Sequence, residues 1–520
     1  MKYSQGRRFV QEIEPQGKIV LVGTSYDGIS HEGFYLREDQ DPYEVLGDCE
    51  LADQYVTALR SGLTAADILL FRLNGIKGEM TLVNSLDNTP LIRIQSIGAS
   101  EADQDITIMV NEQGLVVYME HEEVLQRSYR FDDYENTREL VVAMNRDADF
   151  GLSEVEAVLL NQRILNTCQF QEVAYPFYMA SGEEELVRTE ETDVETFAES
   201  FYQRFLEASA LDETLNENSP VIAGELFSVP AEAIAIVGVH HDEHPLLTKA
   251  LAEYCESKTE ETKIMTLGVI GTSQVPDKTE EMDYGIDEEG NRFDEDGNLY
   301  VYEPWKARHD FLDKLASPAY TQIGEAGVFV HVIVGHHLTV QGPKSIAPAY
   351  AANYVQNPVG KSFTNKEIKG IGEFLYNFQK KELVGLESNG YICTVPSIRR
   401  NVVSKRSQSF YTYEVNTYKA KPHLIRLAYQ IGRDVERQLD QYVGESSTMD
   451  VTASETLLRD QFDTYIKMGL LKSYELLVTR PELARMHVQV NLVPYGSTES
   501  VALEQDVRYE EKEVFRWMDV

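Results

Sequence analysis

Lys18-Ile19-Val20-Leu21-Val22-Gly23-Thr24 places four consecutive apolar residues between a cation and a glycine turn. A run with no polar alternation marks a strand buried on both faces. Outward from it, Glu50–Ser61 carries apolar residues at helical spacing, and Asp67–Leu73 is a second apolar run. Strand, helix, strand in that order predicts a parallel pair, because parallel neighbours need a crossover between them. The same texture returns at Ala233–Val239, with a helix near Pro245–Ser257, a strand over Lys263–Ile270 and another over Val328–Val334. These five strands are expected to form one sheet, which makes the fold class α/β, in several domains.

Between the halves of that core the texture changes. Leu91–Ile97, Ile106–Val110 and Gly114–Met119 are short alternating runs separated by polar turns. They predict a β-sandwich or barrel inserted over 76–150. The expected division is an arm at 1–16, the first part of the core at 17–75, the insertion, and a helical connection at 151–219. An α/β domain follows at 220–389, a C-terminal domain at 390–508 and a second arm at 509–520. In the C-terminal domain a strand at Tyr391–Val395 precedes helices near Pro422–Val443 and Ala453–Met468. Strands at Met486–Pro494 and Ser500–Arg508 close it.

The chain has 520 residues, enough for about three or four domains. Asp and Glu number 86 against 47 Lys and Arg, a net charge of −39. Phosphate backbones and anionic membranes would repel such a surface, so no nucleic-acid partner and no membrane insertion are expected. The exception is Tyr391–Arg480, with 13 Lys and Arg against 10 Asp and Glu. One mildly basic segment inside an acidic molecule points to a surface with its own task. The four cysteines are far apart and form no metal-ribbon spacing. Apolar runs such as Ala233–Val239 are strand-length, short of the ~20 residues that cross a bilayer.

Catalytic patterns are present only in part. His240-His241-Asp242-Glu243-His244 matches H-x-x-E-H, whose histidines bind zinc from one helical face. Pro245 follows, and the residue before a proline avoids helical geometry, so the motif is expected in a strand-to-helix loop. Gly360-Lys361-Ser362 lacks the first P-loop glycine, since Val355 stands there, and Gly23–Gly28 has Asp27 where a nucleophile elbow needs glycine. Asp294-Glu295-Asp296-Gly297 has its glycine too early for an EF-hand; with Gly290-Asn291-Arg292-Phe293 it reads as two turns of a surface hairpin. No catalytic residue, cofactor or metal ligand is assigned. An α/β metallohydrolase using His240 and His244 is the reading from a different class.

Val20-Leu21-Val22-Gly23-Thr24, with Gly28 close by, forms the opening strand. Tyr43-Glu44-Val45-Leu46-Gly47 precedes a helix, and the next strand ends in Arg72-Leu73. A Pro- and Ala-rich passage lies at Pro343–Ala352, and Val395-Pro396-Ser397-Ile398-Arg399-Arg400 precedes two helices. Taken in this order along the chain, these phrases resemble the sheath proteins of contractile phage tails. The family's Asp-x-x-x-Gly-x-Trp phrase is replaced by Asn353–Phe363.

The resemblance implies a sheath-type α/β core with extended terminal arms and no enzymatic activity. It implies a homo-oligomer of stacked rings around a tail tube protein, with baseplate and tail terminator proteins as further partners. Neighbouring subunits would exchange strands through their arms. The sheath would shorten on a signal from the baseplate and drive the tube through the host envelope. The implied location is the virion tail, assembled in the host cytoplasm; the sheath of a phage-derived bacteriocin or injection device shares the class.

Within that frame, the helix near Pro422–Val443 has apolar Leu424, Ala428, Ile431, Val435, Leu439 and Tyr442 at helical spacing. Arg426, Arg433 and Arg437 fall on the opposite side and are expected to face the tube. Phe515 and Trp517 are expected to anchor the C-terminal arm.

Overall fold

The computed structural model describes residues 17–495, without 27–32, 75–78, 88, 97–104, 112, 121–123, 148–154, 171–172, 179–186, 190–191, 210–225, 227–228, 230, 277–291, 294–298, 301–304, 340, 376–377, 398–399, 405–407, 411–420, 441–450 and 483–484. The chain opens with β1 (Ile19–Gly23), β2 (Gly33–Phe34), α1 (Pro42–Leu46), α2 (Glu50–Arg60) and β3 (Ile68–Arg72). Asp41 caps α1 by accepting the Tyr43 amide, and Pro42 sits where a missing N–H costs nothing. All five residues of β1 are buried, as the unbroken apolar run requires.

Two antiparallel sheets follow. Strands β4 (Glu79–Asn84), β5 (Thr89–Ser96), β6 (Asp105–Asn111), β7 (Gly114–Glu120) and β8 (Val124–Arg130) lead into α3 (Thr137–Arg146). The chain then adds β9 (Val155–Leu159) to β5 and β10 (Val173–Tyr178) to β6. The orders are β4-β5-β9 and β10-β6-β7-β8. Leu91, Ile92, Leu115, Leu140 and Met144 centre a core separate from that of the main sheet. The insertion therefore runs past 150. The expected helical connection at 151–219 is corrected in its first part: among its described residues, two strands complete the inserted sheets, and the helix follows at Val194–Ser209. Val155-Glu-Ala-Val-Leu159 is too short for its apolar spacing to separate strand from helix.

After α4 (Val194–Ser209) the chain re-enters the main sheet as β11 (Ala233–Ile236). It continues through α5 (Pro245–Thr262), β12 (Leu267–Gly271) and the short pair β13 (Arg292–Phe293) and β14 (Leu299–Tyr300). The last two form the hairpin expected from the paired glycine turns. Next come α6 (Lys306–Ala316), α7 (Pro318–Thr321), β15 (Val330–Val334), β16 (His336–Thr339), β17 (Gly342–Ser345), α8 (Ala347–Val355), α9 (Lys380–Ser388), β18 (Ile392–Ser397) and β19 (Arg400–Ser404). The main sheet has the order β19-β18-β15-β12-β11-β1-β3-β2. Its six inner strands are parallel, and β2 and β19 run antiparallel at the edges.

All five strands expected in one sheet are there. The expected boundary at 389/390 is corrected, because β18 pairs with β15 inside the same sheet. Beyond it, α10 (Pro422–Asp440), α11 (Val451–Lys467), β20 (Leu471–Glu482) and β21 (Arg485–Pro494) make the C-terminal unit, with its own small core around Ile431, Leu458 and Phe462. Sequence reading missed β20. The strand expected at Ser500–Arg508 lies outside the described residues.

The contact between α5 and β12 is close because Gly268 has no side chain. A Cβ there would lie 2.6 Å from Leu251 Cγ and 3.3 Å from Cys255 Sγ. Gly268→Val should lower the stability of the main sheet by about 1–3 kcal/mol, read as a lower urea midpoint. An unchanged midpoint would show that this packing is loose.

Candidate functional site

In a doubly wound sheet, ligands bind beyond the carboxyl ends of the strands where strand order reverses. Here that point lies between β1, whose chain moves outward to β3, and β11, whose chain moves the other way. The residues above β11 are the H-x-x-E-H segment. His244 caps α5, so the motif sits in a loop as Pro245 predicts. Its two histidines turn to different partners. His240 Nδ1 lies 3.2 Å from Glu243, whereas His244 Nε2 lies 2.9 Å from Glu199 and its Nδ1 accepts the Leu247 amide. Among the described residues no group of three or more His, Cys, Asp or Glu is arranged to hold a metal ion.

A side chain that sequence reading missed holds this segment. Arg188 donates two hydrogen bonds to Glu243, at 2.6 and 2.9 Å, and a third to the Gly238 carbonyl at 2.7 Å. Ser273 Oγ donates to the same carboxylate. Burial alone would raise the Glu243 carboxyl, but His240 and Arg188 hold it well below the usual carboxylate range. Burial works against a charged His240, and the Glu243 carboxylate reverses that and raises it. Nothing local in the sequence marks Arg188, which lies 55 positions from its partner.

The second feature is the C-terminal unit. Strands β20 and β21 span 12 and 10 residues and pair only with each other among the described residues. Tyr474, Leu476 and Val478 stand opposite Leu492, Val490 and Val488, giving the ribbon one apolar face. That face packs on the core with Leu458 and Phe462, yet only Val478 of the six is buried; the others stay half-covered. Leu477, Val493 and Tyr495 are exposed at 55%, 45% and 52%.

No family model matches this chain, and neither does any curated protein. Among solved structures it is similar to the sheath tail protein of Desulfitobacterium hafniense, at 12% identity and a TM-score of 0.45 over 93% of this chain and 99% of that one. A sheath tail protein from Listeria innocua gives 12% identity and a TM-score of 0.47, covering 93% and 96%. The contracted helical sheath of the anti-feeding prophage gives 12% and 0.36, covering 59% and 81%.

Helix α10 corrects part of the expected outward face. Arg426 is buried, 7% exposed, with Nη2 2.9 Å from Glu232 and Nη1 donating to the Asn357 carbonyl at 2.8 Å. Its guanidinium also lies over the Tyr354 ring. Its apolar stem and planar fork let it cross from the helix into the main core, where Glu232 and the end of α8 satisfy it. Ala428, expected in the buried stripe, is exposed. Arg433 is half-buried and donates to Gln430 at 2.9 Å, and Arg437 is exposed. Phe515 and Trp517 lie outside the described residues, as does Tyr442.

Burial sets the acid response. It lowers His241, His337 and His423 to about 4 and His331 to about 3, from an ordinary 6.5. His336 is also lowered by burial, with His240 adding to it. Below pH 6.5 the unfolded chain takes up protons that these buried rings refuse, so stability falls with pH. Each ring contributes a slope of up to about 1.4 kcal/mol per pH unit. His240, whose value is raised, works in the opposite direction. The urea midpoint should therefore drop between pH 7.5 and pH 5.0, while most carboxylates remain ionised; a flat profile would contradict this account.

Proposed function

We propose that this chain is a structural subunit of a contractile tail sheath, which polymerises around a tail tube and contracts to drive it through a cell envelope. The observation that carries the reading is the β20–β21 ribbon. An isolated two-stranded sheet is marginal in water, and long strands whose outer edges pair with no other described strand, with a half-covered apolar face, are templates for further strands. Strands supplied by the arms of other copies would cover it through backbone hydrogen bonds. Such bonds hold while rigid bodies rotate, which suits a lattice that shortens without dissociating. The ordered motifs along the chain support the same reading. The pairing of Glu243 with Arg188, which engages the carboxylate of the H-x-x-E-H segment, supports a structural role over a hydrolase.

The proposed partners are further copies of this chain, a tail tube protein, and baseplate and terminator proteins. Assembly in a host cytoplasm into a virion tail is proposed with them; the sheath of an injection device would be built in the same way. On α10, the exposed Arg437 and the half-exposed Arg433 are the cations proposed to face the tube, where charge complementarity would set register. Phe515 and Trp517 are proposed as anchors of the C-terminal arm.

Concentrated protein at high salt, which screens the acidic bodies, should form rings or tubes visible by negative stain. Deleting 509–520 should abolish those tubes and leave the unfolding midpoint nearly unchanged. A strictly monomeric full-length chain, with and without tube protein, would sink the proposal. Arg437→Glu should leave sheath–sheath assembly intact and weaken co-assembly around tubes; normal sheathed tubes from this variant would remove α10 from the tube interface.

A further inference from the structure

Helix α10 borders a groove of about 210 Å³. Ala428 and Gly432, one turn apart and exposed, line it with Tyr429, Arg433, Glu436 and Lys263 from the end of α5. The space is real at Gly432, where a Cβ would meet nothing within 4 Å. Arg433 Nε finds no acceptor among the described residues. A second, narrower pocket shares Lys263 and Arg433 and continues past Gln430 to Arg426 and Glu232.

Glu232 joins the groove to the start of the described chain. Its Oε2 accepts from Arg426 at 2.9 Å and from the Gly17 amide at 3.4 Å. Gly17 has φ +75°, a left-handed bend where the chain enters β1. Gly17 thus puts the start of the described chain at the inner end of the groove. From Arg426 to Glu436 the helix rises about 15 Å, a span that about five extended residues cover. Counted back from Gly17, those are Glu12-Ile13-Glu14-Pro15-Gln16.

The chemistry matches. Ile13 suits the apolar floor at Ala428 and Gly432. Glu14 suits the cationic wall at Lys263.

We propose that this groove is filled in cis by Glu12–Gln16, so that the inner part of the N-terminal arm is tethered to its own subunit and only the residues before it can reach a neighbour. The contact forms within one chain, so it stands or fails independently of whether the protein polymerises.

Hydrogen exchange on the dilute full-length chain tests it. Amides over 10–16 should exchange at least about tenfold more slowly than those over 2–6. Gly432→Trp, which fills the groove from a position with room for it, should remove that protection. Lys263→Gly, which keeps the left-handed helix cap and removes the charge, should reduce it. Gly432→Ala is the control, and unchanged protection within α10 shows that each variant is folded. Ile13→Cys with Gly432→Cys should give an intrachain disulfide. The proposal is overturned by no protection over 10–16 in the unmodified chain, by protection that survives Gly432→Trp, by a change confined to 496–520, or by a disulfide that links two chains.

Discussion

The fold depends on β1 being paired along both edges. Its residues bond in parallel to Ile68–Arg72 on one side and to Ala233–Ile236 on the other. The second partner is more than two hundred positions away, so one five-residue strand closes the core across the inserted sheets. Every residue of the three strands is buried, and burial at about 25 cal/mol per Å² of apolar surface is what offsets so long a closure. The insertion can be large because the sheet needs only its two ends.

This closure also explains what was legible in the sequence. Strands buried on both faces are continuous apolar runs, and all five expected ones were found and share one sheet. Half-buried strands were harder. β9 shows too few residues to separate a period of 2 from 3.6, and β20 mixes Glu475 and Thr479 with apolar neighbours. Helices α10 and α11 were legible from apolar spacing. The partners of their polar side chains were not. Arg426 falls on the polar side of its helix by periodicity, yet its acceptor, Glu232, lies 194 positions earlier, and no local pattern encodes such a pairing. Arg188 escaped notice for the same reason. The loop position of the His240–His244 segment was readable because proline acts on its immediate neighbour.

The Arg426–Glu232 pair makes the C-terminal unit more than an appendage. Its helix is pinned to the start of β11 and to the end of α8, so the ribbon's supporting helix and the main sheet share a buried charge contact. A buried pair of this kind adds little net stability compared with apolar packing, but leaving either charge alone costs several kcal/mol, about 3–5. It therefore fixes one docking position for α10 and penalises others.

The length of the ribbon has a mechanical consequence. Backbone bonds in an antiparallel ladder run perpendicular to the strands. A strand laid along the outer edge of β20 or β21 and pulled along its own axis would load all of its bonds at once, in shear. The same strand peeled from one end would load them in turn, as a zipper. Strands of 12 and 10 residues thus make a joint that resists sliding far better than peeling, and a lattice held by such joints is strong along one direction and separable along another.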